Sequence, residues 1–254
     1  MSVLRVERDG AIAVVTLNRP EARNALNREL NTAVKAAVHD LDTSGDVSAI
    51  ILTGADPAFC AGVDLKELSS SPRDRDGLER ESFQPLPPHA TPVIGAINGA
   101  TVTGGLELAL ACDFLIASER ATFADTHARV GVMPGGGMTV RLPQAVGLTR
   151  ARQMSFTGDF IDARRAYDWG LVNEVVPHDR LLERAREVAR AVASVPRAYV
   201  REVRALYASV DDLTSGPAWD RQEDRARAWM RDGFDQGRLA SERQGIVERG
   251  SSQQ

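Results

Sequence analysis

The first seventeen residues carry two apolar-rich runs on either side of Asp9-Gly10, which predicts a pair of strands joined by a tight turn. A turn-rich connection from Asn18-Arg19-Pro20 to Leu26 follows. Asn27 then has the character of an N-cap, and Leu30, Val34, Val38 and Leu41 recur at the spacing of an amphipathic helix that reaches Asp42. Val47 to Thr53 reads as a strand, and the order strand, turn, helix, strand predicts a repeated β/α unit, although no repeat is visible in the sequence itself. Ser69 to Pro88 is polar, proline-bearing and charge-rich, and predicts a mobile loop with at most one helical turn.

Further along, Phe114 to Ala117 reads as a buried strand, and Met138, Val140, Leu142 and Val146 as the apolar face of a helix. Gly135-Gly136-Gly137, which opens that helix, has no preceding phosphate-loop pattern and reads as a backbone hinge. Thr149 to Phe156 and Asp162 to Trp169 are two short helices closed by Gly158 and Gly170, and Leu171 to Val176 is a last strand. From Asp179 the pattern is helical: Leu181 to Val195, a break at Pro196, Tyr199 to Ser209, Trp219 to Gly233, and a final stretch to Arg249.

One stretch, Pro92 to Asp113, stands out. Val93 to Ile97 reads as a buried strand closed by Asn98-Gly99, and Leu106 to Cys112 as a helix apolar at every position but Glu107. A glutamate there carries a large desolvation cost, so it is either half of a structural ion pair or an acid/base group whose pKa burial raises from about 4.3. Gly104-Gly105 falls where that helix begins. Their N–H groups are free to face an anion or a carbonyl oxygen that gains charge during a reaction, and a plain tight turn is the other reading.

Composition narrows the class. Of 254 residues, 43% are hydrophobic and 26% charged, which suits an ordinary globular chain with no membrane span, and a net charge of −4 argues against a nucleic-acid partner. A cytoplasmic location is the expectation, since the start reads as strand without the basic and apolar regions of a signal peptide. Cys60 and Cys112 read as packed free thiols. His39, His89, His127 and His178 have no ligand spacing, so no metal is expected.

Ala58-Phe59-Cys60-Ala61-Gly62-Val63-Asp64-Leu65, taken with Asn98 to Asp113, resembles the paired signatures of the crotonase (enoyl-CoA hydratase/isomerase) superfamily, and the match extends from Asn18-Arg19-Pro20 to about Val176. The resemblance implies an α/β fold: a repeated β/β/α spiral core over residues 1–178 bearing the CoA-thioester site, a C-terminal helical oligomerisation region over 179–250, and a tail at 251–254. By motif position, the N–H groups of Val63 and Gly104 would form an oxyanion hole for the thioester carbonyl, and Glu107 would be the first of two catalytic glutamates. Ala61, Asp64, Leu65, Lys66, Gly105 and Arg23 would border the substrate, with Arg23 and Lys66 placed to meet CoA phosphates and Asp64 ordering the turn.

Leu68, Leu78, Phe83 and Leu86 would touch the acyl chain. The sequence departs from the family at its next signature, where His127, with Asp125 two residues before it, occupies the place of the second glutamate. A histidine there is either a satisfied structural residue or a group that exchanges protons near neutral pH. The implied activity is hydration of a 2-enoyl-CoA, with double-bond isomerisation, another crotonase reaction, or acyl-CoA binding without turnover as alternatives. No cofactor is implied beyond the coenzyme A of the substrate. The implied partner is a second copy of the chain, as a homotrimer or dimer of trimers, with Trp219, Trp229 and Phe234 as apolar anchors unless they serve the chain's own core.

Overall fold

The computed structural model describes residues 2–70 and 83–232, together with Gly237, Gly245 and Glu248. Most of the expected polar loop (71–82), Leu78, Phe234, most of the stretch to Arg249 and the tail at 251–254 lie outside the described residues.

Strands β1 (Leu4–Asp9) and β2 (Ile12–Leu17) pair antiparallel around Gly10, whose φ of +59° is the left-handed conformation that a tight turn needs and glycine adopts cheaply. The helix foreseen behind them is α1 (Arg28–Thr43), with the Asn27 side chain accepting the Leu30 N–H at 2.9 Å and Leu30, Val34, Val38 and Leu41 buried. Each of those aliphatic side chains contributes ~1.5–3 kcal/mol by leaving water. Beyond α1 the chain repeats a pattern of long strand, short strand, helix. β3 (Ala49–Gly54), β4 (Ala58–Cys60) and α2 (Leu65–Ser70) make one unit, and β5 (Val93–Ile97), β6 (Ala100–Val102) and α3 (Gly104–Leu110) the next. β7 (Phe114–Ser118), β8 (Thr122–Ala124) and α4 (His127–Val130) make the third.

Long strands stack into a six-stranded sheet, β1-β2-β3-β5-β7-β10, and short ones into a four-stranded sheet, β4-β6-β8-β9, with β9 spanning Ile161–Asp162 and β10 Glu174–Val176. This is the β/β/α spiral.

Successive side chains of a strand point to opposite faces, so two apolar layers are required. Ala13, Val15, Leu17, Ile50 and Leu52 face the main core with α1, α3 and α5 (Met138–Val146), which α6 (Leu148–Thr157) and α7 (Ala163–Asp168) extend. Ile12, Val14, Ala49 and Ile51 face the second, covered by Leu181, Ala185 and Ala189 of α8 (Leu181–Ala193).

The C-terminal part departs from expectation. In place of two helices separated between Ser209 and Trp219, a single helix α9 runs over Arg197–Asp232 with Pro217 inside it. Proline removes a helical hydrogen bond and opposes continuity. Contacts on both sides of it override that preference: Gln144 donates to Ser215 Oγ at 3.0 Å, and Gln222 bonds Thr139 and Gly135. Within the chain, Trp219 stands against Gly137 and Trp229 donates its indole N–H to Gly131 O at 2.8 Å. Among the described residues, no helix is long and apolar enough to cross a membrane.

Asp42, at the end of α1, ties these parts together. Its Oδ1 accepts from Ala90 N (3.1 Å), Thr91 N (2.8 Å), Thr91 Oγ1 (2.8 Å) and Arg201 Nη1 of α9 (3.0 Å). Burial opposes its charge, but the Thr91 and Ala90 bonds and Arg201 outweigh this and hold the carboxyl below its ordinary pKa. Asp42→Ala strands the donors of fully buried Thr91, so urea unfolding is expected to show a loss of ~1–3 kcal/mol. Because the folded-state pKa is depressed, the contribution is complete above the unfolded pKa near ~3.9 and fades as pH falls through the folded value. The difference between wild type and variant should therefore shrink in acid.

Candidate active site

Three elements bring Glu107 to the end of the short-strand sheet. Asn98 fixes the turn after β5, its Oδ1 accepting Gly54 N–H at 3.2 Å and its Nδ2 donating to Asp56 Oδ1 at 2.9 Å. Thr103, the cap of α3, is held at φ +53°, a left-handed conformation that costs a threonine on the order of 1–3 kcal/mol. Its N–H bonds Ala124 O at 2.9 Å and its hydroxyl lies 2.5 Å from that of Thr126. Gly105 then lets α3 seat directly on β4, because a Cβ there would fall 2.2 Å from Cys60 O.

From this helix Glu107 projects into the interior, 6% exposed. Its Oε1 accepts the N–H of Gly136 at 2.8 Å and of Met138 at 3.2 Å, at the start of α5. Unsatisfied donors at a helix N-terminus carry partial positive charge, so the carboxylate is stabilised there without a cation. Burial nevertheless dominates and pushes the Glu107 pKa up, against the opposing pull of His127 and the two amides. A Cβ at position 136 would lie 2.8 Å from Glu107 Oε2 and would push the carboxylate out of place.

His127, the first residue of α4, is also 6% exposed, and its Nε2 lies 3.8 Å from Glu107 Oε2. On the other side of the ring, Nδ1 is 2.6 Å from Asp125 Oδ1, which also accepts the His127 backbone N–H at 3.2 Å. Ser155 of α6 donates to Asp125 Oδ2 at 2.6 Å. Burial opposes the imidazolium, but the Asp125 bond and the charges of Glu107 and Asp125 prevail, so the His127 pKa is raised. For Asp125 burial opposes the carboxylate, yet the His127 and Ser155 bonds win and its pKa is lowered. Burial thus raises Glu107, while the Asp125 bond and the neighbouring carboxylates raise His127.

Val63 and Gly104 converge near this pair. Leu26 and Val63 form a parallel bridge in which Leu26 bonds Gly62 O (2.7 Å) and Asp64 N (3.0 Å), so the N–H of Val63 points away from Leu26. A Cβ on Gly104 would lie 3.6 Å from Val63 N. Among the described residues neither amide has an acceptor. Gly62, at φ +93°, makes the turn between them and β4.

The other positions border this mouth in different ways. Asp64 Oδ1 accepts from Lys66 N (3.0 Å) and its Oδ2 from Arg19 Nη2 (3.0 Å), which orders the turn. Ala61 N bonds Arg23 O at 3.0 Å, joining the two segments. Leu65 begins α2, with Lys66 exposed beside it and Arg23 exposed at φ +49°. Phe83 stands against Gly135 and Gly136, while Leu86 packs in the main core. Among the described residues no three His, Cys, Asp or Glu side chains converge as a metal site.

Sequence reasoning missed several members. The triple glycine, expected as a hinge, helps cradle Glu107 through Gly136 N–H, and helix α9 clamps it: Gln222 Oε1 accepts Thr139 N (2.9 Å) and its Nε2 donates to Gly135 O (3.0 Å). A run of glycines ahead of an apolar helix was the available signal for the cradle. Ser155 and Gln222 offer none, being ordinary polar residues on amphipathic helices.

A model of the enoyl-CoA hydratase/isomerase family matches residues 7–228. The crystal structure of enoyl-CoA hydratase from Mycobacterium smegmatis is 50% identical, with a TM-score of 0.82 over 90% of this chain and 98% of its own. The probable peroxisomal enoyl-CoA hydratase 1 of Arabidopsis thaliana is 36% identical over 230 residues, 90% of this chain and 87% of that protein. Short-chain-enoyl-CoA hydratase of Clostridium acetobutylicum is 39% identical over 194 residues, 74% of each chain. A spiral of paired sheets, a buried carboxylate on its third helix and relatives matched over most of their length lead to one assignment: the chain belongs to the enoyl-CoA hydratase/isomerase family.

Proposed function

We propose that the chain is an enoyl-CoA hydratase that adds water across the double bond of a 2-enoyl-CoA. The observation that carries the reading is the buried Glu107–His127 pair, 3.8 Å apart, together with the Val63 and Gly104 amides, which have no acceptor among the described residues. The thioester oxygen accepts from Val63 and Gly104 N–H, which stabilise the negative charge as it develops. Ionised Glu107 takes a proton from water while the water oxygen bonds to the β-carbon, and the double-bond electrons move into the enolate. His127, as imidazolium, delivers its Nε2 proton to the α-carbon as the enolate collapses. Transfer of the proton from Glu107 to the neutral imidazole restores the pair, so protons balance without any cofactor beyond the substrate's coenzyme A.

Arg23 and Lys66, exposed beside the mouth, are the cations we assign to the CoA phosphates, with Ala61, Asp64, Leu65 and Gly105 shaping the backbone around the thioester. The reading includes a homotrimer or dimer of trimers acting in the cytoplasm. Exposed Phe156, Tyr199, Leu206 and Tyr207 supply apolar surface for such an assembly.

Purified protein is expected to consume crotonyl-CoA, seen as loss of the conjugated enoyl-thioester absorbance, and to incorporate oxygen from ¹⁸O-labelled water into the product. An isomerase would use no water, and a binder would leave the absorbance unchanged. Glu107→Gln should cut the rate ~10²-fold or more while affinity for a CoA ligand stays near that of wild type; activity within a few-fold removes Glu107 from the mechanism.

Backbone donation at the mouth makes opposite demands on its two residues. Val63→Ala keeps its N–H and most activity, whereas Gly104→Val sends methyl groups toward Val63 N and should abolish turnover. Full activity in Gly104→Val would displace the carbonyl from this position.

The pH profile tests His127. Its acid form is needed and its pKa is raised, so the rate should fall only as pH rises through a value above the ordinary histidine range near ~6.5. His127→Ala should lose both rate and that alkaline limb, and His127→Glu should recover hydration with the limb moved. A wild-type rate and profile in His127→Ala would leave both proton transfers to Glu107.

A further inference from the structure

His127 meets two carboxylates, Glu107 and Asp125, and only Asp125 is set to take a hydrogen bond from Nδ1. The charged groups that face the imidazole are Glu107 from α3 and Asp125 from the segment before α4, and from α6 the neutral Ser155 faces Asp125. Asp125 is 1% exposed, and both of its oxygens are occupied: Oδ1 by the backbone N–H and Nδ1 of His127, Oδ2 by the Ser155 hydroxyl. An ionised carboxylate can only accept, so at 2.6 Å the shared proton belongs to Nδ1, and the neutral ring has its lone pair on Nε2. Three bonds from two elements thus fix the plane of the ring and its tautomer. With Nδ1 bonded to Asp125, the other ring nitrogen, Nε2, is the one that faces Glu107.

We infer that Asp125 is a positioning residue for the hydration reaction, with Ser155 locking its carboxylate, so that His127 picks up and releases its exchangeable proton at Nε2 alone. The inference rests on the hydratase reading for its consequence in turnover, but its structural part stands independently. Without this arrangement an imidazole carrying its neutral-state proton on Nε2 would have its basic nitrogen directed away from Glu107, and the return of the proton that completes the cycle would lack an acceptor. Asp125 therefore acts through His127 and does not touch the reacting carbons.

Two measurements test it. In wild-type protein labelled with ¹⁵N-histidine, with the His127 signals assigned by comparison with His127→Ala, the neutral ring should carry its proton on Nδ1; a neutral ring protonated on Nε2 overturns the proposal. This readout needs no substrate, so it separates failure of the proposal from failure of the hydratase reading, which would appear as absence of turnover with the tautomer as stated.

The second measurement uses Asp125→Asn. The two donors of His127 keep the amide oxygen turned toward the ring, so the hydrogen bond survives while the negative charge is lost. The His127 pKa is expected to fall by about one unit or more. The alkaline limb of kcat should move to lower pH with it, and kcat should drop about tenfold or more with KM within about threefold. A residue that merely packs would alter thermal stability and leave the limb in place. Asp125→Asn with an unmoved limb and kcat within threefold overturns the proposal, and should that variant fail to fold, the wild-type tautomer decides it.

Discussion

A carboxylate held in the interior by two backbone N–H groups is the constraint on which the site depends. Glu107 cannot be removed from water without partners, and the partners are Gly136 and Met138, one turn of chain at the head of α5. That choice fixes much else. A fixed cation would have neutralised the group and lowered its pKa, whereas amide donors satisfy one oxygen and leave burial in control. The second oxygen is then available to His127 and to water. The local cost appears in the strained Thr103 backbone, in the close seating of Gly105 on Cys60, and in a glycine at 136, where a Cβ would press on the carboxylate.

The Asp125–His127 pair answers the same problem from the opposite sign. Where the resemblance would place a carboxyl group, this chain has a buried imidazole whose counter-charge sits two residues earlier, on Asp125. A carboxylic acid in that place would need only desolvation to hold its proton. An imidazole needs both a carboxylate partner and a fixed orientation, which accounts for the involvement of α6 through Ser155.

Much of this was legible in the sequence because the signals are local. The helical spacing of Leu30, Val34, Val38 and Leu41, the Asp9-Gly10 turn, and one glutamate on an apolar helix each owe their meaning to neighbours within a few positions. The legible part of the site was Glu107, Gly104 and His127 in their motifs. The cradle was not, because a backbone N–H has no residue type, and three glycines look alike whether they bend or bind. Ser155 and Gln222 were hidden for a related reason: their partners lie 30 and 83 or more residues away, and nothing in an amphipathic helix marks which polar position turns inward. The continuity of α9 through Pro217 is not legible locally, because the tertiary contacts that outweigh the proline come from other parts of the chain.

The bond between Gln222 and the Gly135–Thr139 loop has a consequence for how the molecule comes into being. The ribosome makes the chain from its first residue at ~5–20 residues per second, and the sheets, the core and Glu107 are all synthesised before α9 is complete. The loop that presents its amides to the carboxylate gains its clamp only when residue 222, 83 positions after Thr139, has emerged and docked. The strands, the core and Glu107 thus precede in synthesis the residue that clamps the loop beneath the carboxylate, and the clamp is the later addition to an interior already made.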